Sequence, residues 1–380
     1  MKFDRKFWGA VAILIGTIIG AGIFGLPYAV AKIGFIGGVF YLVLVTLLIL
    51  IIHLTYAEVV LRTNGQLQMA GYAEKYLGQV GKILIALSLI LGIYSAMIAY
   101  LIGAGNFLYS LLSPYLGGGV LIYSLLFWSA GSIVILSGLR MVSKIEFVLG
   151  ILLVLMIFVI FFTALPKINL ANLSYFSAAN LFFPLTIFLF ALGGASAVAI
   201  MADELKEKKK LLNKAIVVGT IIPAILYFIF VLGVIGVSGA KTTEQAMEGL
   251  MGILGYKIFI IGALLGLMTM TTSFICLGYT LRDLFQKDYK IPLMPAWLLT
   301  CFIPLIIFLL GLRNFVEVIG IGGSVLCGFQ GILLLMMFYQ AKKKGEREPE
   351  FTFKLPKILA TIIALIFVFA IIYQFIEIIT

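Results

Sequence analysis

The chain has 380 residues, of which 63% are hydrophobic and only 11% charged, and a net charge of +11. A soluble domain carries about 25% charged residues, so this composition excludes a water-soluble globular protein and indicates one polytopic membrane domain. The basic residues fall between apolar runs and form no arginine-rich face, which excludes a nucleic-acid partner and marks the lipid bilayer as the medium around which the charges are arranged.

Apolar runs of roughly membrane-spanning length occur eleven times, near 7–32, 36–61, 80–112, 119–139, 143–164, 179–202, 213–238, 254–286, 296–312, 316–341 and 357–379. The first run contains Gly16-Thr17-Ile18-Ile19-Gly20-Ala21-Gly22-Ile23-Phe24-Gly25-Leu26-Pro27. Four glycines and a proline in twelve residues disfavour a continuous helix. Unwound backbone survives in hydrocarbon only where it is buried or lines a cavity. The stretch therefore predicts a helix broken near Gly20 to Ile23, with free peptide groups available to a small ligand. The alternative is a small-xxx-small packing face on Gly16 and Gly20. The run is too long, and too interrupted by glycine, for a cleaved leader.

The loops that follow carry mostly topological information. Gln66 to Gln79 predicts a short interfacial helix. With the N-terminus inside, 22 of the 27 basic residues are cytoplasmic, Lys2, Arg140, Lys144 and the run Lys206 to Lys210 among them, and the odd span count puts Thr380 outside. Ala240 to Gly255, with Met247, Leu250 and Met251, reads either as an outer lid or as an ordinary loop. Cys276, Cys301 and Cys327 lie within spans without paired spacing and read as small hydrophobes.

The sixth span repeats the theme of the first. Its Gly193-Gly194 pair lies mid-membrane, 171 residues after Gly22, in a span that must run in the opposite direction. Paired interruptions in two halves predict an inverted-repeat transporter, with span 11 outside the repeat.

Gly16-Thr17-x-x-Gly20-Ala21-Gly22-x-x-x-Leu26-Pro27 resembles the first span of the amino acid/polyamine/organocation (APC) superfamily. It looks closest to the hydroxy and aromatic amino acid permeases and the amino acid/auxin permeases. Thr272-Ser273-Phe274 with Asp283 is similar to the tyrosine and tryptophan permeases, and Phe190 to Glu204 looks like the broader superfamily. The resemblance implies an all-α LeuT-type five-plus-five fold. Residues 1–341 would form the ten-helix core, with repeats near 7–164 and 179–341. Residues 342–380 would add a basic cytoplasmic loop and an eleventh helix. The implied activity is secondary transport of amino acids across the plasma membrane, with no covalently bound cofactor.

An amino acid presents a carboxylate and an ammonium, and broken helices can meet both. The amides of Ala21, Gly22 and Ile23 are assigned to the carboxylate, at the positive end of a half-helix. Carbonyls around Phe190, Ala191 and Leu192, with Gly20 assisting, are assigned to the ammonium, and Gly193 leaves room for a sizeable apolar group. Thr269, Thr272 and Ser273 share one face of span 8. The hydroxyls of Thr272 and Ser273, with the carbonyls of Gly16, Ile19 and Thr269, would make a five-oxygen sodium site like the second sodium site of LeuT-type proteins. The alternatives are hydroxyls bonded back to their own helix and coupling to protons, which is usual in the aromatic permeases. Gly150 to Leu155 is apolar, so the span 5 lysine of some superfamily members is absent there.

Ionisable residues inside spans carry functional hypotheses by default. Glu58 and Arg62 read as a local ion pair. His53 reads as a hydrogen-bonded interior group, with a proton relay as the alternative. Arg5 and Asp283 form an inner gate by analogy with LeuT-type proteins, and Glu317 is an outer gate, a proton step or a solvated helix end. No HExxH, GxSxG or DDxxD pattern supports an enzyme, and no repeated filter supports a channel.

Overall fold

In hydrocarbon a backbone keeps its hydrogen bonds by coiling on itself, and among the described residues every regular element is helical. The computed structural model describes residues 5–379 apart from 138 and 245, without the side chains of 139–147, 247–249, 251, 326 and 377–379. Lys2 and Thr380, and the side chains of Arg140, Lys144, Met247 and Met251, lie outside the described residues.

The first apolar run forms two helices. α1 (Arg5–Ile18) and α2 (Gly22–Ile33) meet at 53°. The break falls at Ile19 to Ala21, slightly earlier than the glycine pattern predicts, and Pro27 lies inside α2. α3 (Phe35–Leu61) follows. α4 (Met69–Leu116) contains a kink at Gly78, whose φ of +75° separates a short leading helix from the long one. That leading piece is the helix expected in Gln66 to Gln79, but Met69, Tyr72 and Tyr76 are buried in protein rather than laid on a bilayer surface. The Asp288 carboxylate accepts from the Gln68 amide at 3.2 Å and the Gly71 amide at 2.8 Å, which holds it there.

α5 (Val120–Ser137) and α6 (Leu139–Ala164) complete the first half. The sixth run is again two helices, α7 (Pro184–Leu192) and α8 (Ala197–Glu204), separated by Gly193 to Ser196. α9 (Leu212–Ser238) comes next. Ala240 to Gly255, read as a lid or a loop, contains α10 (Met247–Leu254). α11 (Tyr256–Lys287) and α12 (Leu293–Leu309) precede a tenth run of three parts: α13 (Phe315–Gly322), a π-helix over Gly323–Phe329, and α14 (Gln330–Lys344). The π segment has no counterpart in the sequence reading. α15 (Lys357–Ile379) packs on α7, α14 and the π segment.

Burial sorts these helices into an inner and an outer set. In Pro184–Glu204, 94% of the apolar stretch is buried, whereas in Val148–Lys167 only 22% is. α15 exposes Ile358, Ile362, Leu365, Ile372 and Ile376 along one side. Water would not tolerate an apolar face of that extent, but lipid tails solvate it. α1 sits among α6, α8, α9 and α11, and α2 lies on α7 and α9. Both interruptions are thus enclosed by the other helices.

Candidate functional site

Breaking a helix frees carbonyls and amides, and buried peptide groups must find partners. At the first break, the Ser273 hydroxyl on α11 donates to the Gly16 carbonyl at 2.9 Å and to Ile19 at 3.1 Å. The Ile18 carbonyl accepts from the Tyr227 hydroxyl on α9 at 2.8 Å and from the Gly20 amide at 3.0 Å. The Ile23 and Phe24 amides turn back onto the carbonyls of Gly20 and Ala21. Ile23, assigned to the carboxylate from sequence, is therefore already engaged. Among the described residues no acceptor takes up the Ala21 and Gly22 amides, so they head α2 as free donors at its positive end.

Two glycines make this geometry possible by close approach. A Cβ on Gly20 would stand 2.7 Å from both the Ser273 and the Tyr100 hydroxyl oxygens. A Cβ on Gly22 would stand 2.5 Å from the Ala191 Cα, so the two interruptions touch there.

The second break is closed differently. The Ala191 carbonyl accepts from the same Tyr227 hydroxyl at 2.8 Å. Leu189 accepts from the Cys327 thiol in the π segment at 3.0 Å, and Phe190 from the Gly193 amide at 3.3 Å. The assignment of the Phe190 and Ala191 carbonyls to an ammonium is corrected to this extent: in this conformation protein donors hold both. The reason is that α9 and the π segment place hydroxyl and thiol donors beside them, which no feature of span 6 foretells. Tyr227 is the residue that sequence reasoning missed. Its signal was a hydroxyl in the middle of an apolar span, where it must find a partner.

Between the breaks lies an enclosed cavity of ≈ 20 Å³. Gly20, Gly22, Phe190, Gly193, Tyr100 and Gln330 are among its lining residues. About one water fits such a volume, so an amino acid requires the helices to part. A wider vestibule of ≈ 380 Å³ opens toward the far end of α2, lined by Tyr28, Thr186, Glu244, Glu317 and Gln374 among others. Glu317 thus faces this vestibule at the start of α13, where Asn314 caps the Glu317 amide at 3.1 Å.

The expected oxygen cluster on α11 is partly assembled. Ser273 reaches both carbonyls of α1, as expected, while the Thr272 hydroxyl donates to Thr269 of its own helix at 2.9 Å. Neutral carbonyl and hydroxyl oxygens suit a hard monovalent cation. The donor set therefore fits sodium if the hydroxyl protons turn away.

At the other end of the bundle the expected Arg5–Asp283 pair does not form. Asp283 accepts from the Gln68 amide nitrogen at 2.7 Å and pairs with Lys287 at 2.9 Å, and Lys287 also lies 3.8 Å from Asp203. Lys287 is one helical turn beyond Asp283, so it reaches the carboxylate locally, whereas Arg5 is exposed at the start of α1. Lys6 pairs with Glu207 at 2.6 Å and holds that carboxyl below the usual range. Glu58 pairs with Arg62 at 2.8 Å and accepts from the Phe353 amide at 2.6 Å, so it anchors the chain entering α15. His53 Nδ1 meets the Thr220 hydroxyl at 3.1 Å and is fully buried, as a bonded interior group should be.

An apolar-skinned helical bundle whose interrupted helices share one central cavity has a match in known folds. MhsT in complex with L-phenylalanine superposes with a TM-score of 0.70 at 16% identity, over 98% of each chain. MHP1, a nucleobase-cation-symport-1 family transporter, matches with a TM-score of 0.68 at 12% identity, over 86% of this chain and 77% of that one. The fold is the LeuT type.

The sequence model of the tryptophan/tyrosine permease family matches residues 4–376, and the chain belongs to that family. It is 25% identical over 364 residues to tyrosine-specific transport system 1 of Haemophilus influenzae, covering 91% of this chain and 90% of that one. Tyrosine-specific transport system 2 of the same organism is 30% identical over 235 residues, covering 60% and 57%. Glutamine transporter 2 of Aliivibrio fischeri is 23% identical over 360 residues, covering 90% and 91%. The protein is a transporter and not an enzyme.

Proposed function

We propose that the chain moves neutral amino acids, with aromatic or branched ones in its range, across the plasma membrane by alternating access. One observation carries this reading: both helix interruptions open on a single enclosed cavity. The first contributes Gly22, whose free amide lies on the cavity wall, with the free Ala21 amide next to it in the chain. Those amides, with the α2 dipole, suit a carboxylate. The ammonium takes the Ala191 carbonyl once Tyr227 releases it, with Leu192 and Gly20 nearby. Relatives named for tyrosine and glutamine transport support an amino acid substrate.

Counting α1–α2, α7–α8 and α13–α14 as one crossing each, and α12 as one, gives eleven crossings. Residues 1–341 then form the ten-helix inverted-repeat core and 342–380 an appendage. The placement of basic residues puts the N-terminus inside and the C-terminus outside. On that orientation the vestibule is extracellular, and Lys6–Glu207 with Asp283–Lys287 closes the cytoplasmic side. Opening would rock α1 to α3 and α7 to α9 against the rest.

The driving ion is sodium, held by Ser273, Thr272 and the carbonyls of Gly16, Ile19 and Thr269, or it is the proton. Uptake into sealed proteoliposomes tests the whole reading. Saturable accumulation of a labelled amino acid above equilibrium supports it. Passive flux points to a channel, and no flux of any amino acid points to another solute on the same fold. Sodium-stimulated uptake that Thr272→Ala with Ser273→Ala abolishes assigns the ion. Uptake that ignores sodium and collapses with a protonophore assigns protons.

A further inference from the structure

Gln330 is the first residue of α14, directly after the π-helical stretch Gly323–Phe329. It is only 3% exposed, and its Nε2 has no hydrogen-bond partner, yet it lines the central cavity. Native proteins seldom leave a buried amide unpaired, and such groups call for a specific reason. π-helical turns inside α-helices concentrate at functional sites, and this one sets the register from which Gln330 reaches the cavity. The neighbouring groups offer it little. Gly193 and Gly194 have no side chain, Ala96 presents a methyl group, and the Cys327 thiol is committed to the Leu189 carbonyl. Thr17, Tyr100 and Ser196 are the other polar side chains that line the cavity, and none of them bonds the Gln330 Nε2.

We infer that Gln330 is the specificity-determining residue of the site: its carboxamide hydrogen-bonds a hydroxyl or carboxamide on the side chain of the transported amino acid. The inference rests on the central cavity being the substrate site. Backbone groups at the first break can hold what every amino acid shares. A side-chain carboxamide lining the same cavity can hold only what some of them carry. A primary amide presents either a donor or an acceptor, so it matches a hydroxyl, which does both, or another amide. Against an apolar group of the same shape the amide stays dry and unpaired. That is the arrangement by which polar sites reject analogues lacking the polar group.

The test is equilibrium binding to the purified full-length protein in lipid nanodiscs, using matched pairs: tyrosine with phenylalanine, threonine with valine, and glutamine with methionine. The readout is the affinity ratio within each pair, which is unaffected by the fraction of active protein. The wild type is expected to favour the polar member of at least one pair by about 10- to 100-fold. Gln330→Leu and Gln330→Met are each expected to bring that ratio near one while the apolar member still binds. Gln330→Met keeps the side-chain length if Gln330→Leu fails to fold. An unchanged ratio in a folded variant overturns the inference, as does a wild type that binds amino acids without preference in any pair. A wild type that binds no amino acid at all fails the reading of the central site itself, and the role of Gln330 falls with it.

Discussion

The two interruptions solve one physical problem in opposite ways. At the first break the carbonyls of Gly16, Ile18 and Ile19 accept from hydroxyls on α9 and α11 and those of Gly20 and Ala21 from amides of α2, while the Ala21 and Gly22 amides stay free. At Gly193 to Ser196 the carbonyls upstream of the gap are capped by Tyr227, Cys327 and Gly193. One break keeps two amides without an acceptor among the described residues; the other has its carbonyls capped by protein donors. The Tyr227 hydroxyl bridges the two, 2.8 Å from the Ile18 carbonyl and 2.8 Å from the Ala191 carbonyl. A broken helix is therefore not a binding site by itself. The partners that neighbouring helices lend it decide which of its peptide groups a ligand can reach.

The comparison can be broken most sharply at Gly22. Its Cβ position coincides with the Ala191 backbone, so Gly22→Val should force the two breaks apart and abolish substrate binding. Unchanged affinity, measured by binding to purified protein, would refute the amide cradle. Tyr227→Phe comes next. It leaves the Ala191 carbonyl without its hydroxyl donor, at a cost of about 1–3 kcal/mol. We expect a lower melting temperature together with about tenfold slower uptake, and a drop in the melting temperature alone would mean that the bridge is only structural. Ser273→Ala removes the hydroxyl from Gly16 and Ile19. It should cost about 1 kcal/mol of stability and, under sodium coupling, shift the sodium dependence of uptake to higher concentrations.

Smaller effects belong to the closed end. Lys287→Met leaves the buried Asp283 carboxylate with Gln68 alone, which should cost more than the ~0.5 kcal/mol of a surface pair. The expected outcome is a modestly higher rate of labelling at a cysteine introduced at Ser196, read in a cysteine-free background, as the inner end loosens. The smallest effect lies outside both breaks. Lys75 pairs with Glu346 at 2.5 Å, and with the Asn64 amide it holds the Glu346 carboxyl below its ordinary 4.5. A carboxyl lowered by folding adds stability above its unfolded value, and that contribution is lost as pH falls through the lowered one. The melting-temperature difference between wild type and Glu346→Gln should therefore be present at pH 7 and shrink progressively as pH falls below the ordinary 4.5 and through the lowered value.

Much of the fold was legible because hydrocarbon leaves a chain few options. An apolar run of about 20 residues must coil, and clustered glycines such as Gly20, Gly22, Gly193 and Gly194 mark where coiling fails. The glycines could not say where the break begins, since Ile19 leaves the helix while Pro27 stays within it. The gate pair was misassigned to Arg5 because the nearest cation to Asp283 is decided by helix register, and Lys287 lies one turn away. Nothing in the sequence marks the π segment, since Gly323 to Phe329 reads as ordinary apolar helix, and its wider winding is seen only in the folded chain, where it packs on α7 and α15.

The amino-acid sequence by itself determined an all-helical membrane bundle, two glycine-marked interruptions 171 residues apart, and a family resemblance concentrated at Gly16 to Pro27. These are local properties, set by transfer free energy and backbone freedom. Only the tertiary structure decided that Tyr227, Ser273, Cys327 and Gln330 converge on the breaks. Hydrogen bonds between helices depend on relative rotation and depth, which hydropathy does not encode.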